Sequence, residues 1–318
     1  MVRQAAIFIS VGLWLALFAG CQRENRTPPV NVDRLQVVTT LFPLYDFSRA
    51  IAGNRADVRL LLPPGTEPHN FEPKPDDLLN INRAGLFVYT NRYMEPWAED
   101  LIKGVDRNRL TVVDASRGLT LENAAGDGEV EKDHGGHSHA HGKDPHVWLD
   151  FANAGRMVDT ILSGFVAKDP ANRAYYEANA TAYKIRLADL DRQYRARLGG
   201  CETKTLLQAG HAAFGYLARR YGLTYIAATG VTGDAEPTPA QLAELVKKVR
   251  SLKLRYIFSE ELVSPRLAET IAAETGALIL PLHAAHNVSK EELAGGVTFI
   301  AIMEANLEKL SKGLQCRR

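Results

Sequence analysis

The chain has 318 residues, 46% of them hydrophobic and 24% charged. That is an ordinary globular composition, long enough for two cores, and it excludes wholesale disorder. Lys and Arg number 38 against 37 Asp and Glu, so no excess of charge argues for a nucleic acid or an anionic membrane surface as the partner.

The first segment stands apart. Arg3 precedes an uncharged apolar run, AAIFISVGLWLALFAG (5–20), which is short for a spanning helix and suits a signal-peptide core. Residues 1–20 are therefore expected to be removed. The run ends in FAGC, placing Cys21 where a lipoprotein signal is cut and its cysteine lipidated, with 21–33 as a polar, proline-containing tether. The expected location is outside the cytoplasm, periplasmic or at the cell surface, anchored to a membrane by lipid. An oxidising compartment also permits a disulfide between Cys201 and Cys316.

From Leu35 the pattern is that of βα units. LQVVTTL (35–41) reads as a strand, PLYDFSRAIAG as a helix from Pro43 to Gly53, and DVRLLL (57–62) as a strand stopped by Pro63, Pro64 and Gly65. A helix (75–84), a strand (86–90), a helix (96–105) and a strand (110–115) follow, then a polar glycine-rich loop and the helix that opens FANAGRMVDTIL. These make a first lobe over 34–169, its His-rich loop at about 127–143. Tyr176, Ala180, Tyr183, Leu187, Leu190, Tyr194 and Leu198 recur at spacings of three and four, one face of a single helix. In a linking helix placed at 170–199, the stretch from Ala171 to Leu198, without glycine or proline, would span about 40 Å at 1.5 Å per residue, the length of a rigid link between lobes. Strands at 203–209, 223–228, 254–259 and 277–282 alternate with helices in a second lobe over 200–318. The fold class is α/β, two lobes of about four parallel strands joined by one long helix.

Five of the nine histidines crowd into DHGGHSHAHGKDPHVWLD (133–150), yet the other four decide the chemistry. His69 lies beyond strand 57–62, His211 directly after strand 203–209, and His283 directly after strand 277–282, with His286 one helical turn on. His146 follows strand 110–115 and the long loop. Carboxyl ends of parallel strands are where open sheets place ligand crevices, and imidazole is the commonest nitrogen donor to zinc. Asp144 or Asp150 is positioned to fix the His146 tautomer by accepting its other ring N–H. Trp97, Trp148, Tyr89 and Tyr93 read as packing beside the cleft, and Arg219 and Arg220 as a solvated helix face.

GTEPHNFEPKPDD, DPHVWLD, HAAFGYLARRYGL and IFSEELVSPRLAETIA closely resemble segments of the zinc- and manganese-binding proteins of ABC importers, the TroA/ZnuA-like class (cluster A-I). The resemblance runs in order from about residue 35 to the C-terminus. It implies two (β/α)4 lobes bridged by a backbone helix, with the metal between them and an ABC membrane permease as partner. His69 and His146 then become ligands from the first lobe and His211 from the second. The fourth place departs from the pattern. Much of the family has aspartate there, and LPLHAAHNVS offers His283, preferred by its distance from the strand, with His286 or Glu261 as alternatives. An imidazole-rich set favours Zn2+ over Mn2+, which prefers oxygen.

The function expected is capture of Zn2+ outside the membrane and delivery to the importer by a monomeric binding protein, not an enzyme. A manganese-binding protein or an adhesin-type lipoprotein is the alternative. A zinc metallohydrolase is weaker still, because the chain has no HExxH and a fourth protein ligand would close the site to water. His134, His137, His139 and His141, set among glycine and acidic residues, read as a low-affinity zinc-collecting loop.

Overall fold

The computed structural model describes residues 34–124, 142–232, 237–262 and 264–317. The predicted signal, Cys21 and the histidines at 134, 137, 139 and 141 lie outside these residues. In the first lobe, β1 (Leu35–Thr39), α1 (Phe42–Ala52), β2 (Ala56–Leu60), α2 (Pro75–Arg83), β3 (Leu86–Tyr89), α3 (Pro96–Gly104) and β4 (Thr111–Asp114) form a four-stranded parallel sheet in the order β2-β1-β3-β4. Its closing helix, α4 (Phe151–Lys168), is capped by the Asp150 carboxylate, which accepts from Ala152 and Asn153 N–H. Gly164 lets α4 approach the sheet, since a Cβ there would fall 2.6 Å from Val113 Cγ2.

The linking helix, α5 (Arg173–Gly199), runs 27 residues. Every residue of the expected stripe is buried on it: Tyr176, Ala180, Tyr183, Leu187, Leu190, Tyr194 and Leu198. Burial supplies most of the helix's stability, as is usual for an amphipathic helix. Two phenols lock its position. Tyr183 donates to Asp46 of α1 at 2.7 Å, and Tyr194 donates to the Met303 carbonyl at 2.6 Å.

The second lobe contains β5 (Thr205–Ala209), α6 (Gly215–Arg220), β6 (Thr224–Ala227), α7 (Pro239–Ser251), β7 (Tyr256–Glu260), α8 (Arg266–Thr275), β8 (Leu278–Leu282), α9 (Lys290–Ala294) and α10 (Phe299–Gly313). Its parallel sheet has the order β6-β5-β7-β8, the same arrangement as in the first lobe. The short α9 was not anticipated from the sequence. Its signal is Ser289 with Glu292 at N3, a capping box. One buried core runs from α1 and α4 through the stripe of α5 to α10, while smaller clusters cover the outer face of each sheet. Residues Leu35–Arg318 form one unit. Cys201 and Cys316 are joined as a disulfide, fastening the end of α5 to the chain after α10. Among the described residues, no helix is long and apolar enough to cross a membrane.

Arg220 is not the solvated residue the sequence suggested. Its guanidinium is largely buried and pairs with Asp191 of α5 at 2.7 Å and Asp150 at 2.8 Å. Arg219 does face outward and pairs with Glu122.

Candidate metal centre

His69, His146 and His211 come together from the loops after β2, β4 and β5. Each offers a ring nitrogen within 4.8 Å of the others, and the ring centroids stand 5.1–5.4 Å apart. His146 Nε2 and His211 Nε2 are 3.2 Å apart. Two nitrogens at about 2.0–2.1 Å from one tetrahedral zinc would stand about 3.3–3.4 Å apart, so this pair is already spaced for a shared ion.

Carboxylates hold two of these rings. Asp144 Oδ1 lies 2.8 Å from His146 Nδ1 and also accepts the His146 backbone N–H. Asp150, the other residue considered for this role, caps α4 instead. Glu260 Oε1 stands 2.6 Å from His211 Nδ1, and its Oε2 accepts the His211 backbone N–H at 3.2 Å. Such pairs fix the tautomer and direct Nε2 toward the centre. Glu260, at the end of β7, was missed in the sequence in favour of its neighbour Glu261.

Burial, reinforced by the His211 charge, lowers the His146 pKa well below 6.5. Burial lifts Asp144 to about 7. The pair is thus a neutral imidazole whose Nε2 lone pair faces His211 Nε2, where a shared cation would sit. At His211 burial again works against the charged form, but the hydrogen bond and charge of Glu260, with Glu67 and Glu261 behind it, raise its pKa above 6.5. The centre therefore contains one imidazole, His211, that holds its proton more firmly than its neighbour His146.

At the fourth place the structure departs from the expectation. The His286 ring, not that of His283, packs against all three: 5.6 Å from His211 and 6.5 Å from both His69 and His146, centroid to centroid. Its Nε2 lies 4.0 Å from Glu67 Oε2, and Glu67, Glu260 and His286 form a second cluster with donor atoms within 4.8 Å. The reason is the turn after β8. Between the two histidines, Ala285 adopts φ 60°, the left-handed region, and the two imidazoles face different partners. His283 and Glu261 instead face each other, Nδ1 to Oε1 at 3.0 Å, within the second lobe.

The His286 loop is tied to the first lobe. Phe42 N–H donates to the His286 carbonyl at 3.2 Å and Gly65 N–H to that of Val288 at 2.9 Å. Asn287 donates to the carbonyls of Pro63 and Thr66, beside the His69 loop. The fully buried Trp148 donates its indole N–H to the Ala284 carbonyl at 2.8 Å. These bonds cross between lobes and keep the histidines at fixed mutual distance.

Residues 37–313 match the family model described as ZnuA, zinc-uptake complex component A periplasmic. The chain belongs to the ZnuA family. It is 40% identical over 312 residues to the high-affinity zinc uptake system protein ZnuA of Bacillus subtilis, covering 98% of this chain and 97% of that one. The zinc-binding lipoprotein AdcA of Streptococcus pneumoniae is 37% identical over 88% of the chain, which spans 56% of AdcA's length. Among solved structures, the Zn(II)-bound ZnuA-like domain of pneumococcal AdcA superposes with TM-score 0.75 at 35% identity, over 89% of this chain and 99% of that one. The laminin-binding protein Lmb of Streptococcus agalactiae, described as both adhesin and metal transporter, gives 0.78 at 30%, over 89% and 100% of the respective chains. The family is one of extracytoplasmic substrate-binding proteins for transport, and the two four-stranded parallel sheets with their linking helix are its fold.

Proposed function

We propose that this protein captures Zn2+ outside the cytoplasmic membrane and delivers it to an ABC-type importer, with His69, His146, His211 and His286 as the ligands. The observation that carries this is the convergence of three imidazoles from two lobes, two of them oriented by buried carboxylates, with Nε2 of His146 and His211 at 3.2 Å. Neutral nitrogen donors in this number suit Zn2+ better than Mn2+. Four protein donors also leave no open position for the activated water a hydrolase needs. Glu67, 4.0 Å from His286, is the other oxygen donor within reach as the ring closes on the ion.

Delivery to a membrane permease is served by anchoring at Cys21 through the tether. His134, His137, His139 and His141 serve as a collector of weakly held zinc. The working unit is the monomer, since one chain supplies every donor. Competition titration with a chromophoric zinc chelator tests the centre. His211→Ala is expected to weaken binding by at least about 100-fold, one ligand's share of a zinc-site free energy of about 10–16 kcal/mol. Affinity unchanged in that variant would sink the assignment.

A further inference from the structure

His283 is displaced from the buried centre, yet it is arranged as its ligands are. Glu261 Oε1 stands 3.0 Å from its Nδ1, as Asp144 stands to His146 and Glu260 to His211. Its backbone is clamped on both sides by Asn306, which accepts from His283 N–H at 3.0 Å and donates to the His283 carbonyl at 2.7 Å. The residue is only 7% exposed, and its Nε2 makes no hydrogen bond. What faces that nitrogen is Glu292 Oε1 at 3.7 Å. This is too long for a hydrogen bond but close to the separation of about 3.3–3.5 Å expected for a nitrogen and an oxygen sharing one tetrahedral zinc. The other oxygen of Glu292 is engaged, accepting Ser289 N–H at 2.8 Å, so Oε1 is aimed at His283 by the capping box of α9. Glu292 is 38% exposed and His283 is 10% exposed in their side chains, so the pair leads from solvent inward. At its inner end the chain runs through Ala284 and Ala285 to His286, whose ring packs against the three buried imidazoles.

We propose that His283 and Glu292 form a second, outer Zn2+ site, with Glu261 orienting the imidazole, which holds the ion briefly as it passes between solvent and the buried histidines. The proposal rests on the zinc-binding reading of the buried centre. His283 Nδ1 has two neighbours that suit opposite tautomers. It accepts Ala285 N–H at 2.9 Å, which leaves the proton on Nε2, whereas Glu261 favours the proton on Nδ1. A cation at Nε2 selects the second arrangement, the tautomer whose single proton sits at Nδ1 facing Glu261. Two protein donors, with water completing the shell, bind zinc more weakly than four by about 10⁴-fold or more. Weak holding suits a relay, which must release its ion inward.

Two measurements on the full chain test this. In crystals soaked with ZnCl2, a zinc-edge anomalous peak is expected within about 2.2 Å of His283 Nε2 and the Glu292 carboxylate, besides the peak at the buried centre. Glu292→Gln should remove the outer peak alone, since glutamine at N3 preserves the capping box. In stopped-flow mixing with Zn2+, the same variant should fill the buried centre about fivefold or more slowly, an effect at the low end of electrostatic and local-concentration enhancements, while its equilibrium affinity there stays within about twofold. Glu291→Gln removes an equal charge from the adjacent exposed position and should leave the uptake rate at the wild-type value. A wild-type crystal with zinc only at the buried centre overturns the outer site. Equal uptake rates in wild type and Glu292→Gln, or equal slowing in both glutamine variants, overturn the relay. A missing buried-centre peak would instead overturn the zinc reading on which the relay depends, a failure distinguishable from the others.

Discussion

His286→Ala is the sharpest perturbation of the centre, because it separates the two histidines of LPLHAAHNVS. His286 is 2% exposed, its ring packs on three other imidazoles, and burial with the surrounding histidines keeps its pKa well below 6.5. It therefore offers a neutral donor with no proton to displace at neutral pH. A zinc site worth about 10–16 kcal/mol, divided among four ligands, assigns about 2.5–4 kcal/mol to each, or about 10²–10³ in Kd. The variant's Kd for Zn2+ should rise by that factor in a chelator competition at pH 7.5, with far-UV circular dichroism and apo-protein melting used to establish that the fold persists. The backbone bonds from Phe42 to His286 and from Gly65 to Val288 do not involve the side chain, so the loop should keep its place. A Kd within fivefold of wild type would refute the reasoning and return the fourth place to Glu67 or His283.

Two further outcomes follow from the surroundings of the centre. His211 holds its proton above pH 6.5 because Glu260 outweighs burial, and zinc needs that nitrogen free. The apparent affinity should thus fall about tenfold per pH unit once pH drops through the His211 pKa. In Glu260→Gln only the charges of Glu67 and Glu261 remain against burial, so the fall should begin at lower pH, while affinity at pH 8 weakens by about 10–100-fold through loss of the orienting carboxylate. An unchanged onset in titrations from pH 5.5 to 8 would contradict this. The disulfide closes a sequence separation of 115 residues, which removes about 4–5 kcal/mol of denatured-chain entropy in the simplest treatment, with about 2–5 kcal/mol the usual measured effect. Reduction, or Cys201→Ser with Cys316→Ser, should lower the melting temperature by roughly 4–10 °C, read by scanning calorimetry on the zinc-free protein. No shift on reduction would mean the bond carries no stability.

What the sequence made legible depends on how far a pattern reaches along the chain. The stripe on α5 was readable because a helix 27 residues long repeats its signal seven times, and all seven residues meet the same core. The convergence of His69, His146 and His211 was readable because a strand's end is visible locally and parallel sheets collect ligands there. The remaining assignments turned on single side-chain directions. Glu260 and Glu261 are neighbours at the end of β7, where a strand buried on both faces, YIFSE with pattern iBBBB, gives no alternation to show which carboxylate turns toward His211. Between His283 and His286 stands Ala285 in the left-handed region. An L-residue at φ 60° costs about 1 kcal/mol, and without a glycine nothing in HAAHN announces that conformation. The cross-lobe bonds from Asn287 and Trp148 to backbone carbonyls supply interactions that hold the residue there. Arg220 was misjudged for the same reason, since its partner Asp191 lies 29 residues away on another helix. The strained residue lies between the two candidate imidazoles, and strain of this kind tends to sit where function needs it. The same loop thus carries two buried imidazoles that face different partners, His286 among the other histidines and His283 toward Glu261 and Glu292.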